Sequence, residues 1–465
     1  MALALVRPPS DPPPPDADAP LHFERGDHAE LAEHTLAALG PGPVTFAVGE
    51  FWGYVAELGI WRKIPLAKVR TVAASFAGAP VGFGERPRTL MVSASACDGA
   101  AKIARDRLES DPRSITFDSA PPGVAFRNGF VTVDGGRIIL REHAPEHRCR
   151  FAFDFDYAPW RTDAAPLLLE FLDQLFADCS EDERGARVAL LQEFGGACLM
   201  GDALRYQGCL ILYGEGANGK SSLLTLLRAM FPPDSLSSVP PQKWSERFGL
   251  ASLEGKRANF VDETPSAEIL DGGAFKAVIT GGQMTAERKN KDPFEFRPTA
   301  GHIFSTNWPI TTTDHSAGFW RRPIVLPFSR RFDLEPGRRI APEAEVIRAE
   351  LGAVVAWAIE GAARAQRQGA YTLPDQSRRL LGEWRDGNDQ VRLFVSEQPD
   401  DEGPIPAARL YLRYRDWANE NGHRNPVSAR MFGLRIVATG AYDRDEARTG
   451  RTYRRRPRRV EEGGT

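Results

Sequence analysis

Residues 209–231 combine the residue types that hold a nucleoside triphosphate. An apolar run, 210–213, predicts a buried strand, and residues 214–221 match the pattern G-x-x-x-x-G-K-S. Apolar residues at helical spacing follow. Glycines let the backbone N–H groups of such a loop point at phosphate oxygens, and the N-terminus of the next helix adds the positive end of its dipole. The sequence therefore predicts a phosphate-binding loop (Walker A) from Gly214 to Ser221.

Two side chains of this loop have predicted roles of their own. Lys220 is expected to reach the β- and γ-phosphates of ATP, and the Ser221 hydroxyl is expected to bind Mg²⁺. ATP and Mg²⁺ are therefore the predicted cofactors. The predicted nucleotide contacts form one continuous run: Gly214, Glu215, Gly216, Ala217, Asn218, Gly219, Lys220, Ser221 and Ser222.

A second apolar stretch ends in the acidic pair Asp262 and Glu263. After a phosphate loop, Asp262 is expected to hold Mg²⁺ through water, and Glu263 to polarise the attacking water. The alternative is a buried strand that ends in a solvated acidic turn. The order of the two motifs favours the catalytic interpretation.

Two further motifs follow at short spacing. Asn307 ends the apolar stretch 302–307 and could orient the attacking water, although Asn is also a common turn residue. Arg321 and Arg322 precede another apolar stretch. One of them is expected to act as an arginine finger on the ATP of a neighbouring subunit, stabilising charge on the transferred phosphoryl group. The alternative is a salt-bridged surface pair.

Two basic segments are candidate DNA contacts. Arg288, Lys289 and Lys291 lie in a turn between extended stretches, which suits a hairpin tip on a nucleic-acid backbone, or plain solvated surface. Near the C-terminus, seven arginines and no acid occur in residues 448–459. Arg454, Arg455 and Arg456 are predicted phosphate contacts there, with Tyr453 as a possible stacking residue; the alternative is a disordered solubilising tail.

Overall composition excludes several classes of protein. The 465-residue chain is 42% hydrophobic and 26% charged, with a formal net charge of −3, which is ordinary for a globular protein. No apolar run approaches the roughly 20 residues that span a bilayer. Five scattered cysteines without a C-x-x-C pair argue against a disulfide framework and a zinc site. The sequence predicts a cytoplasmic protein without membrane contact.

Composition and periodicity also predict the domain order. Helical spacing predicts helices at 28–39, two within 166–200, and others at 346–367 and 375–397, and 129–140 predicts a hairpin turning at residues 134–136. Trp52, Tyr54 and Trp61 are expected in a core rather than on a binding platform. The predicted segments are a disordered Pro-rich tail (1–20), a mixed α/β N-terminal region (21–150), a helical segment (151–204), an ATPase core (205–335), a second helical segment (336–400) and a C-terminal module with a basic tail (401–465).

The motifs described above, taken with their order, their spacing and the residues between them, resemble those of superfamily 3 helicases. More narrowly, they resemble the phage and plasmid primase-helicase family related to the poxvirus type. The resemblance covers roughly residues 120–455. Its motifs are Leu253-Glu-Gly-Lys-Arg257, Lys276, Thr280-Gly-Gly282, Arg288-Lys289, Thr306-Asn-Trp-Pro309, Arg321-Arg322 and Pro327-Phe328, besides the phosphate loop. Gln283 departs from the family, which often has an acid at that position.

The resemblance implies an α/β fold: a P-loop AAA+-like core with helical flanks and a C-terminal winged-helix-like module. It implies a homo-oligomeric ring, expected to be hexameric, with ATP between subunits and 3′ to 5′ movement along single-stranded or forked DNA. A separate primase or initiator would be a partner. Asp154 and Asp156 superficially match a primase metal pair, but no suitable His and third Asp accompany them. The alternative function is an ATP-switched DNA-binding initiator, regulator or defence-associated assembly protein with little unwinding activity.

Overall fold

The computed structural model describes residues 22–82, 88–118, 120–263, 271–289, 293–334, 342–399, 404–422, 426–447 and 450–456. The predicted tail 1–20 and the predicted DNA contact Lys291 lie outside these ranges. The chain divides into two compact units: one comprises Met1–Ala120 with His143–Arg150, the other Pro121–Glu142 with Phe151–Thr465. In the described part, no helix has both the length and the apolarity needed to cross a bilayer.

The first unit is a mixed α/β structure, as predicted. Helix α1 begins after Asp27, whose carboxylate accepts the Glu30 N–H at 2.8 Å. Trp52 and Trp61 are buried, which confirms their predicted place in a core. The elements of this unit are α1 (His28–Ala38), β1 (Val44–Ala47), β2 (Glu50–Val55), β3 (Ile60–Ile64), α2 (Leu66–Ala74), β4 (Pro80–Val81), β5 (Arg88–Thr89) and α3 (Ala94–Ser110).

The second unit opens with an antiparallel sheet of β6 (Val124–Phe126), β7 (Gly129–Asp134) and β8 (Arg137–Arg141). Gly135 and Gly136 form the turn with φ of +56° and +76°, values that side chains disfavour, so the predicted hairpin is confirmed. The sheet nevertheless belongs to the second unit, whereas the sequence placed it in an N-terminal region ending at residue 150.

A parallel sheet occupies the centre of this unit, preceded by the two predicted helices α4 (Pro166–Leu175) and α5 (Glu181–Met200). Its described strands run in the order β10-β11-β14-β9-β15, and every neighbouring pair is parallel. The elements are β9 (Cys209–Tyr213), α6 (Lys220–Ala229), β10 (Leu236–Ser237), α7 (Arg247–Ala251), β11 (Ala258–Val261), α8 (Gly272–Ile279), β12 (Met284–Ala286), β13 (Phe294–Phe296), β14 (Gly301–Thr306), α9 (Ala317–Trp320) and β15 (Pro323–Pro327).

Helix α10 (Glu343–Gln368) packs closely along α5 and beside α6. Two glycines allow this approach: a Cβ at Gly196 would lie 1.8 Å from the Ala358 carbonyl oxygen, and one at Gly361 would lie 2.2 Å from that of Gln192. Next come α11 (Asp375–Asn388) and α12 (Gln390–Glu397). One helix was predicted there, but Asp389 interrupts it and its side chain accepts the Val391 N–H at 3.0 Å, a capping contact that begins a new helix.

The C-terminal module packs two helices against a small antiparallel sheet. Its strands run in the order β16-β18-β17, and Tyr414 and Phe432 are buried between helices and sheet. The elements are β16 (Ile405–Pro406), α13 (Ala407–Glu420), α14 (Ala429–Ala438), β17 (Tyr442–Ala447) and β18 (Gly450–Arg455).

Candidate nucleotide-binding site

The predicted ATPase residues meet at the carboxyl edge of the parallel sheet. Strand β14 lies between β9 and β11, with Thr306 opposite Tyr213 and Phe304 opposite Val261. The residues that follow these three strands are therefore neighbours at one edge of the sheet. They border one cavity of about 350 Å³, lined by Gly216, Ala217, Asn218, Gly219, Lys220, Ser221, Ser222, Asp262, Glu263, Ser305, Thr306 and Asn307.

The phosphate loop is anchored to the segment that follows β15. The Asn218 side-chain amide donates to the Phe328 carbonyl at 3.3 Å, and the Phe332 N–H donates to the Ala217 carbonyl at 2.9 Å. A Cβ at Gly214 would lie 2.3 Å from the Phe328 carbonyl oxygen, so this approach requires glycine. One side-chain contact and one backbone contact thus fix the loop to the segment after β15.

Lys220 is folded onto its own loop. Its Nζ donates to the carbonyls of Gly214 and Glu215 at 2.5 and 2.8 Å and to Asn218 Oδ1 at 3.1 Å. The residue is 7% exposed, and this burial lowers the pKa of its ammonium from 10.5 to about 8. Neutral oxygens thus hold the cation, and phosphate oxygens would be stronger partners.

The donor set fits a magnesium ion. Ser221, Asp262 and Glu263 line the cavity and supply oxygens, which Mg²⁺ prefers. No cluster of three or more His, Cys, Asp or Glu suited to a metal occurs among the residues that the structure covers. Nucleotide oxygens and water would therefore have to complete its coordination, as is usual for Mg²⁺ beside phosphates.

Asp262 has a partner that the sequence analysis missed. Arg228 Nη1 donates to Asp262 Oδ2 at 3.0 Å, and Nη2 donates to Oδ1. The available signal was spacing, because Arg228 follows Ser221 by two turns of α6 and therefore lies on the same helix face. A second missed residue is Arg331, whose Nη1 lies 3.7 Å from Glu215 Oε2 beside the phosphate loop.

Asn307 follows β14 at a fixed turn. The Thr306 hydroxyl donates to the Trp308 carbonyl and accepts the Trp308 N–H, both at 3.0 Å. These bonds hold the backbone on either side of Asn307, between the phosphate loop and the acidic pair. The position suits the predicted contact with an attacking water.

Arg321 and Arg322 lie at the opposite edge of the sheet. They precede β15, whose first residue Pro323 pairs with Cys209 at the start of β9, and roughly 13 Å of strand separates this edge from the phosphate loop. Arg321 is exposed and donates to Gln207 Oε1 at 3.0 Å. Arg322 is 5% exposed, its Nε and Nη1 have no partner among the described residues, and burial lowers its pKa. Neither arginine can reach the phosphate loop of its own chain.

The predicted basic turn follows β12 of an antiparallel hairpin with β13. Arg288 is engaged inside the fold: it pairs with Glu254 at 3.1 Å and lies over the Phe294 ring at 4.3 Å, whereas Lys289 is exposed. Next to the hairpin, Phe248 on α7 is 59% exposed, a residue that the sequence analysis did not single out.

The C-terminal arginines separate into two groups. Arg454 and Arg456 are exposed, and Arg456 Nε donates to Asp443 Oδ2 at 2.8 Å. The predictions for Arg455 and Tyr453 are wrong, since both side chains pack inside the module. Arg455 is 6% exposed, lies over the Tyr442 ring and donates to the Val395 carbonyl, and the Tyr453 hydroxyl points at the Gly433 carbonyl.

Comparison with known proteins agrees with the predicted family. The profile of a family of unknown function, DUF5906, matches residues 212–322, from β9 to the arginine pair. "Putative helicase L207/L206" of Acanthamoeba polyphaga mimivirus is 27% identical over 218 residues, 45% of this chain and 22% of that protein. "Putative primase C962R" of African swine fever virus (isolate Warthog/Namibia/Wart80/1980) is 26% identical over 220 residues, 44% of this chain and 22% of that protein.

The fold and the cavity define a mixed α/β protein with a parallel sheet and a candidate nucleotide site. The chain is similar to viral proteins named putative helicase and putative primase, and it spans about a fifth of the length of these relatives. Among solved structures, the alignment with the apo C-terminal region of NrS-1 covers 93% of this chain and 99% of the NrS-1 chain, at 13% identity and a TM-score of 0.44.

Proposed function

We propose that the chain is the ATPase motor of a ring-forming DNA helicase that moves 3′ to 5′ on single-stranded DNA during replication of a phage, plasmid or other mobile element. One observation carries the proposal: Lys220, Ser221, the acidic pair and Asn307 line a single cavity at the carboxyl edge of the sheet. Lys220 would bind the β- and γ-phosphates, and Glu263 would take a proton from the attacking water held by Asn307. Bound Mg²⁺ would neutralise charge on the phosphoryl oxygens.

The position of the arginine pair supports a site shared between subunits. Arg321 is exposed at the far edge of the sheet, where it can reach only another molecule's nucleotide, and it is therefore the preferred finger. Arg322 is buried and is therefore less accessible to another molecule. Arginine fingers supplied in trans act on the transition-state charge.

The hairpin supports a DNA contact next to the motor. Lys289 supplies an exposed cation, and Phe248 supplies an exposed ring on the adjacent α7. Single-stranded DNA is commonly held by such a combination of backbone-binding cations and base-stacking rings. Lys291 remains a predicted member of this surface, together with Arg454 and Arg456 of the C-terminal module.

Strand displacement from a forked duplex tests the motor. The protein is expected to unwind a fork that carries a 3′ single-stranded tail, and Lys220→Ala should abolish both ATP turnover and unwinding. ATP binding and DNA binding without unwinding would instead support the ATP-switched initiator. Unchanged unwinding after Lys289→Ala, Lys291→Ala and Phe248→Ala together would exclude the hairpin surface as the translocating contact.

Mixing two inactive variants tests the shared site. Lys220→Ala lacks a working phosphate loop and Arg321→Ala lacks the finger, so each alone should fail to hydrolyse ATP. In a random mixture, roughly a quarter of the interfaces would join an intact loop to an intact finger and regain turnover. Absence of recovery, with both variants shown to co-assemble, would contradict an arginine supplied in trans.

A further inference from the structure

We propose that Arg228 is a positioning residue: in the empty site it pairs with the Asp262 carboxylate, and this pairing makes metal binding depend on the nucleotide. The inference rests on the proposed function, in which Asp262 contributes to a Mg²⁺ site. It assigns a role in metal loading to a side chain outside the phosphate loop and the acidic pair.

Geometry places Arg228 within reach of this carboxylate. Helix α6 carries Ser221 and Arg228 two turns apart on one face. Side chains on a helix lean toward its N-terminus, so the Arg228 guanidinium extends back toward the cavity. Its two terminal nitrogens each donate to a different oxygen of Asp262, Nη1 to Oδ2 at 3.0 Å. This paired geometry is the strong form of an arginine–carboxylate contact.

A second contact fixes the guanidinium in that place. Its central carbon lies 5.2 Å from the centroid of the Phe260 ring, and Phe260 is 1% exposed in the core of β11. Strand β11 thus presents the ring, and the carboxylate of Asp262 follows directly after the strand ends. Arg228 is 32% exposed and Asp262 63%, so the pair stands at the solvent side of the cavity rather than inside the core.

This arrangement opposes a metal ion that arrives alone. Both Asp262 oxygens already accept from Arg228, so a cation must displace the guanidinium or approach beside its positive charge. A metal ion bound to the same carboxylate would lie close to the positively charged guanidinium. The two positive charges would repel each other, and more strongly at a protein surface than in bulk water. The phosphates of a nucleotide supply the negative charge that offsets this repulsion. Metal should therefore enter the site together with the nucleotide and not before it.

Mn²⁺ binding to the nucleotide-free, full-length protein tests the proposal, with unbound Mn²⁺ counted by electron paramagnetic resonance. Arg228→Gln should bind Mn²⁺ about fivefold more tightly than the wild type, the upper range for breaking a partly exposed ion pair. Since Arg228 opposes the metal only in the empty site, the enhancement of Mn²⁺ affinity by a non-hydrolysable ATP analogue should shrink by the same factor. Asp262→Asn should remove the gain when combined with Arg228→Gln.

Arg161→Gln is the matched control, because it breaks an exposed arginine–aspartate pair outside the site, Arg161 with Asp163 at 3.0 Å. Equal Mn²⁺ affinity in Arg228→Gln and the wild type would overturn the proposal, and so would an equal gain in Arg161→Gln. If Arg228→Gln does not fold, Arg228→Lys keeps the charge but loses the paired contact; it should show a smaller gain, and no gain would overturn the proposal.

The outcomes separate this inference from the proposed function. If Asp262→Asn leaves Mn²⁺ binding with the ATP analogue unchanged, the metal site itself is misplaced. If Asp262→Asn abolishes that binding while Arg228→Gln changes nothing, the metal site stands and only the role of Arg228 fails.

Discussion

ATP binding should take up a proton at Lys220 when the pH exceeds about 8. The pKa of this ammonium is lowered to about 8 because the side chain is buried against neutral oxygens. Polyphosphate would stabilise the charged form and return the pKa to its ordinary value of 10.5 or above. Between these two values the empty site is neutral and the loaded site is charged. Affinity should therefore fall as the pH rises through this window.

The size of the effect follows from the pKa. At pH 9, one unit above the pKa of the empty site, about nine tenths of the lysines have lost their proton, so ATP should bind about tenfold more weakly than at pH 7. The lowered pKa of Lys220 also affects the free energy of unfolding of the nucleotide-free protein, which should rise with pH where the affinity for ATP falls. The unfolded chain keeps the proton that the folded site has lost, so this lysine makes the empty protein more stable as the pH rises from about 8 to 10.5.

Calorimetry with a non-hydrolysable ATP analogue measures the proton directly. Titrations at pH 9 in two buffers of different ionisation enthalpy should show an uptake of about 0.9 proton per site. Lys220→Arg is the control, because a guanidinium does not titrate in this range. If the wild type takes up no proton between pH 8 and 9.5, or if Lys220→Arg takes up as much, the burial argument for Lys220 is wrong.

Three further predictions concern the elements that support the site. Gly196→Ala should destabilise the protein by about 3 kcal/mol or more in urea unfolding, because its Cβ meets backbone of α10; Gly185→Ala, where a Cβ has open space, should be nearly neutral or stabilising. Asn259→Ala should cost about 2–3 kcal/mol, since the buried amide bonds both the N–H and the carbonyl of Val239 at 2.7 and 2.9 Å. Burial lowers the pKa of His302 from 6.5 to about 3, so the unfolded chain gains a proton at this residue as the pH falls and the folded protein does not. Between pH 7.5 and pH 5 the wild type should therefore lose about 2 kcal/mol more free energy of unfolding than the His302→Leu variant. Equal losses in both proteins would refute this.

Local patterns predicted much of the architecture around the site. The glycine loop after an apolar strand, the hairpin at Gly135-Gly136 and the helices α4 and α5 all occur where the sequence indicated. Each depends on interactions among residues close together in the chain, such as backbone φ at glycine or a repeating apolar face. The convergence of Asp262 and Asn307 on the loop was also predictable, because strands of a parallel sheet end at one edge.

The features that the sequence did not predict depend on contacts between residues far apart in the chain. Nothing in the run Arg454-Arg455-Arg456 distinguishes its middle member, which is buried because alternate residues of β18 face opposite sides and Tyr442 offers a ring on the inner one. Arg228 could not be assigned to Asp262 without knowing that its guanidinium lies over the ring of Phe260 in β11. The hairpin β7–β8 was assigned to the wrong part of the chain for the same reason: its partner helix α10 is remote in sequence.

The separation of Arg321 from the phosphate loop restricts the symmetry of any assembly that shares the site. The two halves occupy opposite edges of one sheet, so a two-fold dimer could pair them only through a patch that spans both edges. In a head-to-tail contact, by comparison, each molecule offers its finger edge to the loop edge of the next. Such contacts close into a ring when the rotation between neighbours divides a full turn, and otherwise they continue as a helical filament. The angle between neighbouring sheets would then decide whether DNA passes through a closed channel or lies along an open spiral.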